Sequence, residues 1–170
     1  HTVALRGDGR VFAIGASPDG RCDTAAWHDV VDIACGVRHT AAVLSDGHCV
    51  ATGDNSRGQC AVGDWENVVM IACGEFHTAG VTADGRVLVA GNAGGEACRV
   101  EDLRDVISVA CLPEATVCVH ADGHMTVWGG DGMLAEAVAP IRDAVAVDGK
   151  EYRLAVLTVD RRVLFLPGME

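Results

Sequence analysis

The sequence predicts an all-β fold built from a repeated three-stranded unit, and three observations carry that prediction. The chain of 170 residues repeats itself with a period of 38, which brings His1, His39 and His77 into register without a gap. Self-similarity over a few tens of residues marks an architecture of stacked units. Each copy opens on two short apolar runs flanking an Asp-Gly pair, the pattern of a β-hairpin. Composition agrees: 49% of the residues are hydrophobic but only 4% aromatic, and 21 are glycine, so small aliphatic side chains alternate with many turns.

The units run 1–38, 39–76, 77–114 and 115–152, with half a unit at 153–170, and together they make one repeat domain. Unit one matches unit two at both ends, HTVALRGDGRVFAIG at the start and WHDVVDIACGVR at the close; only the middle drifts. Asp8-Gly9, Asp46-Gly47, Asp84-Gly85 and Asp122-Gly123 are expected to form two-residue turns with positive φ. Unit five carries Asp160-Arg161 instead, and an L side chain is costly in the left-handed region, so that hairpin is expected to turn differently or be looser. The second strand ends at Gly15, Gly53, Gly91 or Gly129. An irregular stretch follows, and then a third strand, as at Val30 to Ala34 and Val68 to Ala72.

Both faces of these strands are apolar. Val3 and Leu5 point one way and Ala4 the other, with Ala42, Gly80 and Cys118 at the position matching Ala4. Sheets must therefore stack on both sides, and no single unit buries its own faces. Radial stacking into a β-propeller solves this with short edges. A linear β-solenoid is the rival; its coils are usually shorter and seldom carry a tight hairpin in every unit.

The string GDNSRGQC (Gly53 to Cys60), then Trp65, then VVMIACGEFHT (Val68 to Thr78) and ADGRVLVAG (Ala83 to Gly91), resembles the regulator-of-chromosome-condensation repeat in its compact bacterial form. The WD-repeat family has a similar period, but its Trp-Asp pair and Gly-His opening are missing. The resemblance implies a β-propeller of seven blades. This chain would supply four to five of them, as part of a longer propeller, a truncated product, or a piece that associates through its open edges. Unit four departs most. Ala115 replaces the histidine, Gly149-Lys150 replaces Cys-Gly, and GGDGMLAE replaces the Asn-to-Gln stretch, so its blade is expected to be irregular.

Charge narrows the function. Asp and Glu number 24 against 13 Lys and Arg, a formal charge of −11 with only one lysine, Lys150. A nucleic-acid binder needs a basic face, so nucleic acid is not an expected partner. No apolar run reaches the roughly 18 residues of a membrane helix, and no membrane partner is expected. No signal-peptide pattern is present, and because the chain opens on His1 this says little about export.

The eight cysteines do not read as a disulfide framework. Cys22, Cys60 and Cys98 share one repeat position, and Cys35, Cys73 and Cys111 another. Equivalent positions in neighbouring blades lie too far apart for a bridge. One within-blade pair, Cys60 with Cys73, stays open; otherwise they read as reduced, small hydrophobes. That points to the cytoplasm.

Cys35 with His39, and Cys73 with His77, repeat in successive blades, whereas catalysis needs one constellation and zinc needs four converging ligands. The histidine at the strand start is therefore read as bonding backbone groups at a blade junction. Cys118, His120 and His124 straddle one turn, and two or three ligands on a hairpin tip make a weak metal signal. The Asp-Gly turns lack the alternating ligands of a calcium loop. No phosphate loop or nucleophile elbow occurs. The sequence predicts no catalytic residue, no metal and no cofactor.

The drifting segments 16–26, 54–64, 92–102 and 130–140 are the candidate recognition surface, because variable loops on a rigid scaffold are a common way to build binding. They present Asp19, Arg21, Asn55, Arg57, Glu96, Arg99 and Met133 as candidate partner-binding residues. The reading is a non-catalytic protein-interaction module with a protein partner. The resemblance adds two alternatives, a guanine-nucleotide exchange factor-like regulator and a propeller-type inhibitor of a secreted hydrolase. The exchange factor needs an inserted wedge hairpin that no unit shows.

Overall fold

The computed structural model describes residues 1–92, 100–130 and 132–166. Among the described residues fourteen strands are arranged in five antiparallel sheets. The first pairs β1 (Thr2–Leu5) with β2 (Val11–Ile14). Three-stranded sheets follow: β3 (Val30–Cys35), β4 (His39–Leu44), β5 (Cys49–Gly53); β6 (Val68–Cys73), β7 (His77–Thr82), β8 (Val87–Gly91); and β9 (Val106–Cys111), β10 (Ala115–His120), β11 (Met125–Gly129). The last sheet is β12 (Ala144–Lys150), β13 (Arg153–Thr158) and β14 (Val163–Leu166). Each blade therefore joins the third strand of one repeat to the hairpin of the next, and the blades stack as a partial β-propeller with β3, β6, β9 and β12 innermost.

Among the described residues the buried apolar side chains form four separate clusters, one at each junction between blades. Val3, Leu5 and Val11 pack on Val30, Ile33 and Ala42. Ala41, Val43 and Cys49 meet Val68 and Ile71 of the next blade, Ala79, Val81 and Val87 meet Val106 and Val109, and Val117, Val119 and Met125 meet Val147, Leu154 and Val156. Burying a Val or Leu side chain stabilises by about 1.5–3 kcal/mol, so these four seams hold the blades in their stack. The connecting segments contribute at fixed repeat positions. Val62, Val100 and Val138 are buried in turn, although one lies in an irregular loop, one in a 3-10 turn at Val100–Asp102 and one in the helix α1 (Met133–Val138). The irregular stretch expected in unit four is thus a short helix that keeps the same buried anchor.

The hairpins differ from the expected two-residue turns. In each, the N–H three residues along bonds back to the turn's first carbonyl (Gly9 to Arg6 at 3.0 Å, Gly47 to Leu44 at 2.9 Å), and the first residue's N–H bonds across to the fifth (Arg6 to Arg10 at 2.9 Å). This is a three-residue loop, a type I turn closed by a bulge, and it needs positive φ only at its last residue. Gly9, Gly47, Gly85 and Gly123 have that φ and the preceding aspartates do not. The hairpin at Asp160-Arg161 makes the same bonds, Arg161 to Thr158 at 2.9 Å and Thr158 to Arg162 at 3.0 Å, with Arg161 at φ 66°. It is neither different nor looser: the surrounding ladder, β13 against β14, imposes the geometry on an unfavoured residue.

A second bond links each of the first four turns to the next blade. The N–H of Val30, Val68, Val106 and Ala144 donates to the carbonyl of Gly9, Gly47, Gly85 and Gly123 at 3.0–3.1 Å. A Cβ on Gly47 would lie 3.0 Å from the Cα of Asn67, so this glycine serves both the turn and the close approach.

Candidate functional site

The strands run so that each inner-to-middle turn lies at one end of the blade beside the start of the following loop. These turns are two-residue tips: Val37-Arg38, Glu75-Phe76, Pro113-Glu114 and Glu151-Tyr152. The first three are bonded to the loops. Asp54 N–H donates to the Arg38 carbonyl at 2.9 Å, Asn92 to Phe76 at 2.8 Å and Gly130 to Glu114 at 2.9 Å. Sequence variation is therefore gathered at one end of the scaffold. The tips escaped the sequence reading, although their signal was present: they change in every unit between nearly constant flanks, ACGVRHT, ACGEFHT and ACLPEAT.

The candidate residues divide by what already holds them. The Asp19 carboxylate accepts from Arg21 Nε at 2.6 Å and Nη2 at 2.5 Å, and Arg21 Nη1 donates to the Val37 carbonyl at 2.8 Å. Their side chains are only 15% and 13% exposed, so the pair braces the first loop against the first tip. The Arg21 guanidinium also holds the Asp19 carboxyl below the usual carboxylate range. Arg38 adds a longer contact to Asp19 at 3.5 Å. Asn55 and Arg57 are exposed; Asn55 Oδ1 accepts from Cys60 N–H at 2.9 Å, and the Arg57 guanidinium lies 5.7 Å from the centre of the Phe76 ring. Met133 is 63% exposed at the start of α1. Glu96 and Arg99, with Cys98, lie outside the described residues.

The strand-start histidines sit at the blade junctions, but their partner is a side chain. His1 Nε2 meets Thr40 Oγ1 at 2.8 Å, His39 meets Thr78 at 2.9 Å and His77 meets Thr116 at 3.0 Å, each one blade further on. The Thr40 and Thr78 hydroxyls donate onward to the carbonyls of Arg21 and Gln59, both at 2.8 Å. A hydroxyl that donates to a carbonyl accepts from the imidazole, so Nε2 carries the proton. His39 and His77 are fully buried, their Nδ1 atoms have no partner, and burial holds both pKa values down to about 4.

The described cysteines are free thiols, Cys60 and Cys73 among them. Burial raises Cys60 to about 11, Cys49 and Cys73 to about 12, and Cys111 well above its ordinary value. A nucleophilic or metal-bound thiol needs the opposite shift. His120 is buried, with Nδ1 on the Arg104 carbonyl at 2.8 Å and Nε2 on Thr126 Oγ1 at 3.0 Å, so neither nitrogen is left for a metal. Among the described residues no group of three or more ligating side chains converges, and no helix is long and apolar enough to cross a membrane.

Comparison with known proteins places this architecture. The Regulator of chromosome condensation (RCC1) repeat matches residues 30–59 and 68–94, each match starting at an inner strand, in phase with the blades. No curated protein matches the chain. Among solved structures, human WBSCR16 is similar at 18% identity and a TM-score of 0.74, over 97% of this chain and 58% of that one. The CRINKLY WD40 ectodomain of the Arabidopsis thaliana receptor kinase ACR4 is similar at 14% identity and 0.69, over 95% and 58%. Yeast RCC1 (Prp20), solved with Kap60 bound, is similar at 19% identity and 0.65, over 99% and 52%. The chain thus spans less than two thirds of each of these structures. Phase and sequence match identify RCC1 repeats at residues 30–59 and 68–94 of a chain folded as a partial β-propeller.

Proposed function

We propose that the chain is a non-catalytic protein-interaction module whose tip-and-loop end, including segments 16–26, 54–64, 92–102 and 130–140, docks a partner protein in the cytoplasm. One observation carries the reading: three tips are hydrogen-bonded to the loops beside them, so the variable parts of successive blades form a braced surface at one end of a repeated scaffold. A surface ordered before binding loses less entropy on docking. Exposed Val37 and Tyr152, 52% and 57% accessible, supply apolar anchors within it. The raised thiol pKa values of Cys35, Cys49, Cys60, Cys73 and Cys111 support the non-catalytic part, because burial disfavours the thiolate a nucleophile needs. Among the described residues no extra hairpin is inserted in a blade, so the nucleotide-displacing alternative gains no support.

The test is capture of binding proteins by the chain, by a Val37→Ser/Tyr152→Ser variant, and by a Val31→Ser/Val69→Ser control altered at exposed positions near the opposite end. A protein kept by the control and lost by the tip variant, with both variants folded by circular dichroism, is the expected result. Equal capture by all three would remove the tip end as the docking surface.

A further inference from the structure

The inner strands enclose a groove of 590 Å³, within the size range of a ligand site. Its lining is small and apolar along the strands, with Ala34, Ala72 and Ala110 at matching repeat positions. Its charged side chains are unbalanced: Asp32, Glu75, Asp148 and Glu151 against Lys150 alone, with the His1 imidazole engaged by Thr40. Among the described residues none of these carboxylates is in an ion pair. Elsewhere the chain does pair its acids, Asp8 with Arg6, Asp19 with Arg21, Asp84 with Arg86 and Asp160 with Arg162. Asp32 is committed to the fold, bonding the Ile33 and Ile71 N–H groups at 3.0 and 2.9 Å. Asp148 bonds only the neighbouring Gly149 N–H, at 2.8 Å. Val37, Pro113 and Glu151 carry the lining up to the tips.

We propose that this groove docks an extended basic segment of a partner protein, its backbone along the alanine floor and a Lys or Arg side chain held by Glu75, Asp148 and Glu151. Three unpaired carboxylates over an apolar floor attract a cation whose aliphatic stem also packs. An acidic or neutral segment would leave the excess charge uncompensated. The inference rests on the docking role proposed above and names the chemistry of what docks.

The test uses the full chain and fluorescence anisotropy of a labelled Arg/Ala peptide, with the matching Glu/Ala peptide as control. Glu75→Gln/Asp148→Asn/Glu151→Gln removes three groove charges, and Asp46→Asn/Glu66→Gln/Asp105→Asn removes three exposed charges near the hairpin-turn end. The expected result is binding of the Arg peptide alone, weakened on the order of tenfold by the groove variant and nearly unchanged by the turn-end variant. No binding, equal binding of the Glu peptide, or equal weakening by both variants would overturn the groove. Such a failure leaves the capture experiment's outcome standing, so the two readings are separable.

Discussion

Acid is the perturbation to which these junctions are built to be sensitive. His39 and His77 are buried with their pKa values held near 4, against 6.5 for an exposed imidazole. Protonation would place a second N–H at Nδ1, where no acceptor exists. Between pH 6.5 and about 4 the unfolded chain binds protons that the folded chain refuses, so stability falls as pH falls. The full contribution is present above pH 6.5 and is lost by about pH 4. At about 1.36 kcal/mol per unit, two side chains shifted by about 2.5 units contribute about 3 kcal/mol each. Together that is a large share of the roughly 5–15 kcal/mol typical of a domain. Urea midpoints measured at half-unit steps from pH 7.5 to 4 should drop steeply below 6.5. In His39→Gln/His77→Gln the drop should be much shallower, whatever the variant's stability at pH 7. A flat wild-type profile, or a variant profile as steep as wild type, would refute the assignment of acid sensitivity to these two junctions.

Four further outcomes rest on local geometry and burial. Gly47→Ala should destabilise by about 2 kcal/mol, since φ is 85° and the new Cβ meets Asn67. Arg161→Gly should stabilise by about 1 kcal/mol at φ 66°; thermal melts of both check the turn reading, and a destabilised R161G would contradict it. Thr78→Val should cost about 2–3 kcal/mol, because it leaves the His39 Nε2–H and the Gln59 carbonyl without their partner; Thr2→Val, exposed on β1, should be nearly neutral by the same urea assay. Native alkylation at pH 8 followed by mass spectrometry should leave Cys49, Cys73 and Cys111 unmodified until urea is added; labelling at the denatured rate would show that these thiols are not suppressed.

The blades were legible because their rules are periodic. Apolar alternation on both faces, a glycine in each turn and a fixed spacing are statements about backbone and burial, and these repeat in sequence as they do in space. The turn type was misread because Asp-Gly fits both a two-residue and a three-residue loop. Only the bonding of the residue before it, Arg6 to Arg10 and its equivalents, distinguishes them. Asp19 and Arg21 were read as partner-binding because they lie in a segment that drifts between repeats. Bidentate pairing and a bond to the Val37 carbonyl bury most of both side chains, and no periodicity announces such a contact. The groove was illegible for a related reason. Glu75 and Glu151 share one repeat position, but Val37 and Pro113 break the pattern there and Asp32 and Asp148 hold two others, so only the fold brings the four to one lining.

The junctions themselves are of two chemical kinds, and the departure of unit four now has a physical meaning. The first three seams combine an apolar core with a His–Thr bond. At the fourth, Ala115 stands where the histidine would be and Leu154 where the threonine would be. Leu154 is buried there at 2% exposure, in a seam enlarged by Leu134 and Val138 of α1. Losing only one member of a buried polar pair would leave an unsatisfied group; losing both and filling the space with aliphatic side chains does not. The blade is therefore a replaced junction, with paired changes at both positions and a helix that supplies the missing apolar volume. It follows that acid weakens the seams around His39 and His77 and not the seam under α1, so the propeller's least pH-sensitive junction is the one whose sequence looked most eroded.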